Sequence, residues 1–433
     1  MEKNPLATLI SCRIHTILLS NRMARSTRES LIVQNFEKMK IWIATLIPLV
    51  IGCSSPANYD LVLQNVGLFD GDTYHGIVNI GIHDDTIAVI SSEKTEGDSL
   101  IDLSGKYITP GMVNAHVHVS TVEQMKEGPP VGILTLLNMH TGEEDRELEW
   151  KTKYKDSAGF STLYGAGHAA TVPGGHPNQF SPDMETIDEN LSIQDWVDHR
   201  IKNNVDYIKV VRDHHEWMGS PALPSLDYDQ IRELIEYSHQ KGMKVVIHAN
   251  SIKDMMEIGQ FSPDGFVHMP DYKEDLPVPE NFYTWLAGKE IFVVPTAGFS
   301  LKSMDNAPPF IRDWVTSHLL DSSQRAGIIK KMHEAGVLIV AGTDAQEGQM
   351  DFGGDYFLEL KLYKTAGLSN IEILRTATGN AAKAFDLPIG QISVGSKASF
   401  VILNENPIED IENLKTVYQV WKNGRTIPAH KNQ

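Results

Sequence analysis

Between residues 111 and 385, short apolar runs alternate with helix-like segments, and this alternation limits the fold more than any other feature of the chain. Eight such runs are legible: GMVNAHVHV, GILTLLNMH, GFSTLYG, VDYIKVV, MKVVIHA, DGFVHM, IFVVPT and VLIVAGT. They are rich in Val, Ile and Leu and too short for buried helices, so they read as strands apolar on both faces. Segments 227–242 and 323–336 have the polar/apolar spacing of amphipathic helices and lie between runs. A strand–helix alternation builds a parallel sheet, and eight units over about 275 residues suit a (β/α)8 TIM barrel, typically ~250 residues long. The competing fold is a doubly wound sheet. It lacks support here, because no Gly-rich phosphate loop opens a first helix. Apart from this alternation the chain shows no internal repeat.

The two flanks differ from the middle. From Tyr59 to Ile108, and again from Ile389, runs of Val, Ile and Leu are punctuated by Gly and Asp at hairpin spacing. The spacing predicts a small β-sandwich domain assembled from residues 59–110 and 386–433, around a barrel over 111–385.

In a barrel of this kind, functional side chains sit at the C-terminal ends of the strands. The first run ends in His116 and His118, which at i and i+2 share one face of a strand. The fourth run carries Lys209, the fifth ends in His248, the sixth in His268 and the eighth in Asp344. Taken singly, each has a plain structural reading: a satisfied core histidine, a salt-bridge lysine, a turn-capping aspartate. Together they require several independent coincidences unless they converge on one site. The only cysteines are Cys12 and Cys53, so any transition-metal site in the rest of the chain must use histidine and carboxylate. Neutral imidazole and carboxylate suit Zn²⁺, with Mn²⁺ or Fe²⁺ as alternatives. Four histidines exceed the three protein ligands usual for one catalytic zinc, so two divalent ions about 3.5–4 Å apart are expected. Lysine is a cation and a poor ligand. Carbamylated by CO2, Lys209 becomes a carboxylate-like bridge.

The ordered set YITPGMVNAHVHV, YIKV, VVIHAN, GFVHM and VAGTDA, followed by TATGNAAKAFDLPIGQISVGSKASFVILNENPIEDI, resembles the metal-dependent amidohydrolase superfamily, in particular its imidazolonepropionase-like and prolidase-like branch. The resemblance covers roughly residues 59 to 427. It implies that His116 and His118 bind the more buried metal, and that Lys209 as a carbamate bridges both. His248 and His268 then hold the more exposed metal, while Asp344 binds the buried one and shuttles protons as the catalytic residue. The turn GAGHAATVPGGHPNQF matches a TGGH-like family turn, which implies a substrate contact from His176. His214 and His215, after the fourth run, carry no assigned role. Imidazolonepropionases use one metal and need no lysine, so Lys209 argues against that activity. The implied function is hydrolysis of a small amide: a dipeptide, an N-acyl amino acid or a cyclic amide. A heterocycle deaminase on the same scaffold is the alternative, and a catalytically inactive surface binding module a third reading.

The N-terminus is separate. Residues 41–52, IWIATLIPLVIG, form an apolar run too short to span a bilayer comfortably, and Lys38 and Lys40 precede it. Its end, LVIGCSS, resembles the lipobox of bacterial lipoproteins. That implies a signal over 39–52 within a non-mature segment 1–52, lipidation at Cys53 and a tether over 53–58. Translation is expected to start at Met23 or Met39. Ser54 after the cysteine directs the protein toward the outer membrane of a bacterial cell envelope, facing the periplasm or the exterior. Formal net charge is −18 and no Lys/Arg-rich run occurs, which argues against a nucleic-acid partner. The expected partners are a small-molecule amide and, through the lipid, a membrane; oligomeric state is left open.

Overall fold

The structure is a computed structural model and describes residues 59–213, 220–305 and 307–427. The expected signal, the lipidation site Cys53, and His214 and His215 lie outside these residues. Five strands come first: β1 (Tyr59–Phe69), β2 (Tyr74–His83), β3 (Thr86–Ser91), β4 (Gly97–Asp102) and β5 (Tyr107–Pro110). Seven of the eight apolar runs follow as β6 (Met112–Val117), β7 (Ile133–Asn138), β8 (Thr162–Gly165), β9 (Ile208–Val211), β10 (Val245–His248), β11 (Gly265–Val267) and β12 (Phe292–Val294). All but β8 are buried at every position, as both-face apolar runs should be.

Helices alternate with these strands. α1 (Glu144–Tyr154) follows β7, α2 (Ile193–Lys202) follows β8, and α3 (Tyr228–Gln240) follows β9. α4 (Ile252–Ile258) follows β10 and α5 (Glu280–Gly288) follows β11. α6 (Pro309–His318) and α7 (Ser322–Glu334) follow β12. The last three are α8 (Tyr356–Ala366), α9 (Asn370–Ala377) and α10 (Gly379–Phe385). Asp227 with Gln230 starts α3, and Asp321 with Gln324 starts α7, each by a reciprocal capping box. Between β6 and β7 the chain makes only short 3₁₀ turns.

The parallel strands pair in chain order as β6–β7–β8 and as β9–β10–β11–β12. Hydrogen bonds also run between these groups. Ala170, just beyond β8, donates to the Lys209 carbonyl at 2.8 Å and accepts from Val211 at 3.0 Å. The eighth run is an irregular stretch rather than a ladder strand. Val293 donates to Leu338 at 2.9 Å, and Val340 donates back to Val293 at 3.0 Å. On the other side Ala115 donates to Ala341 at 2.9 Å and His118 to Ala345 at 2.8 Å. The run gives way at Asp344, whose φ of 60° is a left-handed conformation that no regular strand admits. Each run is thus bonded to the next, and the eighth to the first.

One apolar cluster takes residues from seven of the eight runs, including Val113, Leu137, Tyr207, Val246, Phe292 and Val340, and Tyr164 of the remaining run packs against it. Phe385 of α10 joins it, with ring centres 5.2 Å from Tyr207 and 5.0 Å from Phe292. Side chains from strands that are not neighbours can meet in this way only across a shared interior. A larger cluster lies between the strands and the surrounding helices.

The chain ends with β13 (Phe400–Leu403), β14 (Val417–Lys422) and β15 (Arg425–Ile427). These join the N-terminal strands in one eight-stranded sheet, ordered β15-β14-β13-β5-β1-β2-β3, with β4 also on β1. The expected sandwich is therefore one continuous hydrogen-bonded path. The 11-residue β1 makes this possible: one edge pairs with β2, and the other with β4 along its first half and β5 along its second. Buried Lys422 ties β14 to the chain before β8, donating to the carbonyls of Ser157 at 3.2 Å and Phe160 at 2.5 Å.

Gly342 marks the tightest seam between the eighth run and β6. A Cβ there would lie 2.5 Å from Val294 Cγ1 and 2.8 Å from the His116 backbone nitrogen. The backbone cannot yield without opening the seam, so Gly342→Ala should destabilise by about 1–3 kcal/mol. Thermal unfolding followed by circular dichroism checks this, and an unchanged Tm would contradict the close approach.

Candidate functional site

The site is built from the C-terminal ends of β6, β9, β10, β11 and the eighth run. His116 Nε2 lies 3.3 Å from His118 Nε2, and these atoms lie 3.2 and 3.1 Å from Asp344 Oδ1. The same-face geometry of i and i+2 thus brings both imidazoles to one carboxylate oxygen. His268 joins them: His116, His268 and Asp344 each offer a ligand atom within 4.8 Å of the others. The His268 ring centre is 4.9 Å from that of His116 and 4.4 Å from that of His248. His176 completes the row, 5.4 Å from His248. Lys209 is 2% exposed, and its charge acts on His116, His248 and His268.

Second partners hold these groups in place. His268 Nδ1 pairs with Thr296 Oγ1 at 2.7 Å, which leaves Nε2 for the site. Asn114 donates to Thr343 Oγ1 at 2.8 Å and accepts from the Thr343 backbone at 3.1 Å. Asp344 itself donates its N–H to the His116 carbonyl at 2.9 Å. His268, Thr296 and Asp344 all have positive φ, at 82°, 50° and 60°. Such backbone costs about 1–3 kcal/mol per residue and persists only where surrounding contacts enforce it.

Burial suppresses positive charge on His116, His248 and His268. It holds His116 down at about 3 against the pull of Asp344, and it puts His248 and His268 well below the ordinary histidine range. Burial also lowers Lys209 to about 7, with Asp344 opposing. Burial pushes Asp344 up, but His116 and His118 outweigh it and leave the carboxyl well below its usual range. The result is neutral imidazoles at His116, His248 and His268, an ionised carboxylate, and an amine about half neutral near pH 7.

These donors fit a divalent ion. A tetrahedral ion bound at about 2.0–2.1 Å holds its ligand atoms about 3.3 Å apart, close to the three separations among His116, His118 and Asp344. His248 Nε2 is buried without a hydrogen-bond partner, 3.8 Å from Asp213 Oδ2. An imidazole nitrogen left in that state costs about 1–3 kcal/mol, and a cation would satisfy it.

His140 and His168 stand outside the set of strand-end residues named from sequence. His140 ends the second run, so the strand-end rule that selected the other residues also selects it. Its ring centre is 6.5 Å from His118 and 6.4 Å from His168. Its Nδ1 accepts from the Ala169 backbone at 3.2 Å and its Nε2 pairs with Ser181 Oγ at 3.0 Å, which ties the loop after β8 to the site. A cavity of about 750 Å³ opens beside His168, among Glu144 of α1, Glu185 of the loop after β8 and Arg200 of α2. It lies on the flank rather than over the donor cluster, and Arg200 already pairs with Glu144 at 2.9 Å.

Sequence pattern also gave no sign of Glu359 on α8. This residue is fully buried and accepts a hydrogen bond from Gly298, two residues beyond the Thr296 that holds His268. Burial raises its carboxyl from 4.5 to about 7, with hydrogen bonds from Tyr363 and the backbone of Gly298 opposing. Between those two pH values the folded chain keeps a proton that the unfolded chain has lost, so stability falls as pH rises through the window. The full change is about 3 kcal/mol. Gln has no such slope. The Tm difference between Glu359→Gln and wild type, both melted with chelator at pH 5 to 8, should therefore move in favour of Gln as pH rises. A constant difference would show that the carboxyl titrates normally.

Comparison with known proteins gives a consistent picture. The pattern of the Amidohydrolase family matches residues 107–427. An adenine deaminase of Thermosipho africanus is 25% identical over 385 residues, which cover 84% of this chain. The chain spans only 58% of that deaminase. The ochratoxinase of Aspergillus niger is 23% identical over 453 residues, covering 87% of this chain and 88% of the relative. Its solved structure superposes with a TM-score of 0.67 at 18% identity, over 84% of this chain and 95% of that one. A solved Xaa-Pro dipeptidase with methionine in its active site superposes with a TM-score of 0.71 at 19% identity, over 85% and 99%. At such identities the superpositions show a shared fold.

Proposed function

Because the chain belongs to the amidohydrolase family and is an enzyme acting on carbon–nitrogen bonds, we propose that it hydrolyses a small amide at a dinuclear metal centre on a (β/α)8 barrel. The observation that carries this reading is the close triangle of His116 Nε2, His118 Nε2 and Asp344 Oδ1, beside the row formed by His268 and His248. His116, His118 and Asp344 would hold one ion, and His248 and His268 a second. Zinc suits this donor set. Lys209 would lie between them as a carbamate. Its buried amine, lowered to about 7, is neutral often enough to attack CO2; an N–C bond forms and a proton leaves. Such ions supply Lewis acidity and an activated water.

The protein's own groups supply the remainder. Asp344, ionised and in contact with two imidazoles, takes the proton of the attacking water and returns it to the leaving nitrogen. His176, half-buried next to His248 and kept neutral mainly by burial, faces the substrate. Dipeptides, N-acyl amino acids and cyclic amides are the candidate substrates. The dipeptidase and ochratoxinase likenesses support peptide-like amides. The deaminase relative supports the second reading, release of ammonia from a heterocycle. The basic flank, the apolar run 41–52 and Cys53 support anchoring in a bacterial envelope.

Metal content per chain, after purification with zinc and bicarbonate, tests the centre. Wild type should hold nearly two ions and Lys209→Ala one or none; one ion in both would remove the bridging role of Lys209. Asp344→Asn should lower kcat by roughly 10²–10⁴-fold on any amide that wild type cleaves. Ninhydrin assay of dipeptides and N-acyl amino acids, run beside an ammonia assay on purines, identifies the reaction. Ammonia alone would favour the deaminase.

A further inference from the structure

The carboxyl of Glu147 is a second buried group that sequence pattern did not single out. It sits on α1, 5% exposed, with both oxygens engaged. Oε1 accepts from Asn138 Nδ2 at 2.6 Å, and Oε2 accepts from the Gly167 backbone at 3.0 Å. Room for it comes from Gly165, where a Cβ would lie 2.2 Å from Oε1. Asn138 ends β7, and its Oδ1 accepts from the backbone N–H of Val119, next to His118, at 2.8 Å. Around the same point, Met139 donates to the Val117 carbonyl at 2.9 Å and Tyr207 donates to the Asn138 carbonyl at 3.0 Å. Glu147 therefore decides which way the Asn138 amide faces. With a carboxylate holding the NH2 end, the oxygen must point to the chain that carries His118.

We propose that Glu147 is a positioning residue for the metal ligand His118, acting through Asn138. The proposal rests on the reading of the site as a metal centre. Placing a carboxyl here is unfavourable in itself, because burial disfavours its charge and raises it to about 7. An apolar residue would fill the space without that penalty. It would also leave the Asn138 NH2 and the Gly167 N–H buried without acceptors, and the amide free to turn. Groups that orient a metal ligand from behind typically change metal affinity 10–100-fold when altered.

The polarity of the pair can be reversed. In Glu147→Gln, one donor of the new amide meets either Asn138 Nδ2 or the Gly167 N–H. In Asn138→Asp, assayed above the pH of about 7 at which Glu147 ionises, a carboxylate meets a carboxylate. In the double variant, Gln at 147 donates to Asp at 138 and still accepts from Gly167, while Asp at 138 accepts from Val119. Zinc affinity by competition with a chromophoric chelator, with the visible spectrum of the cobalt-loaded protein and Tm alongside, separates the outcomes. Both single variants should bind zinc roughly 10–100-fold more weakly than wild type, with an altered cobalt spectrum. The double variant should regain affinity to within a few-fold and recover the wild-type spectrum. Should a single variant not fold, the double variant alone decides. Wild-type affinity in Glu147→Gln, or a double variant as weak as the singles, overturns the positioning role. A wild-type protein that takes up neither zinc nor cobalt overturns the metal-centre reading, and this proposal with it.

Discussion

The arrangement of this protein turns on one unbalanced interaction, the gathering of imidazoles around the ionised carboxylate of Asp344. The rings of His116, His118, His248 and His268 crowd together, and burial keeps His116, His248 and His268 from taking protons. Asp344 pairs with His116 and His118 but leaves His248 Nε2 buried without a hydrogen bond. A divalent cation would satisfy what the carboxylate alone does not, which is why the donor set carries the functional reading.

Such a cluster survives only if its surroundings are stiffer than the cluster is strained. The structure meets that need from behind the clustered side chains. Thr296 holds His268, the Asn114–Thr343 pair holds the turn carrying Asp344, and Asn138 holds the chain beside His118. Two of these supports are backed by buried glutamates, Glu147 through Asn138 and Glu359 through the loop after β12. Both carboxyls are raised to about 7 by burial. Burying either carboxyl costs stability, a common trade where geometry serves chemistry.

The ends of the chain serve the same purpose at a larger scale. β1 lets strands from both ends share one sheet, and Lys422 binds that sheet to the segment leading into β8. Phe385, close to the point where the chain returns to the sheet, packs on Tyr207 and Phe292 inside the ring of strands. The apolar interior and the terminal sheet therefore meet at α10.

Much of this was readable in one dimension. Short apolar runs buried on both faces announce parallel strands, and a pattern of period 2 places His116 and His118 on one side without any knowledge of the fold. The chemistry of imidazole and carboxylate, with only two cysteines in the chain, indicated which kind of ion they could hold. Sequence could not show that the eighth run would break its ladder at Asp344, because a positive φ at a non-glycine residue is imposed by neighbours rather than by propensity. Nor could it reveal Glu147 and Glu359, which look like ordinary residues of amphipathic helices. What selects them is contact with strand ends far along the chain, and such contacts exist only once the strands have closed into register. Local pattern depends on the side chain and its immediate neighbours. The orientation of each candidate ligand depends on distant groups that tertiary folding alone brings within hydrogen-bond reach.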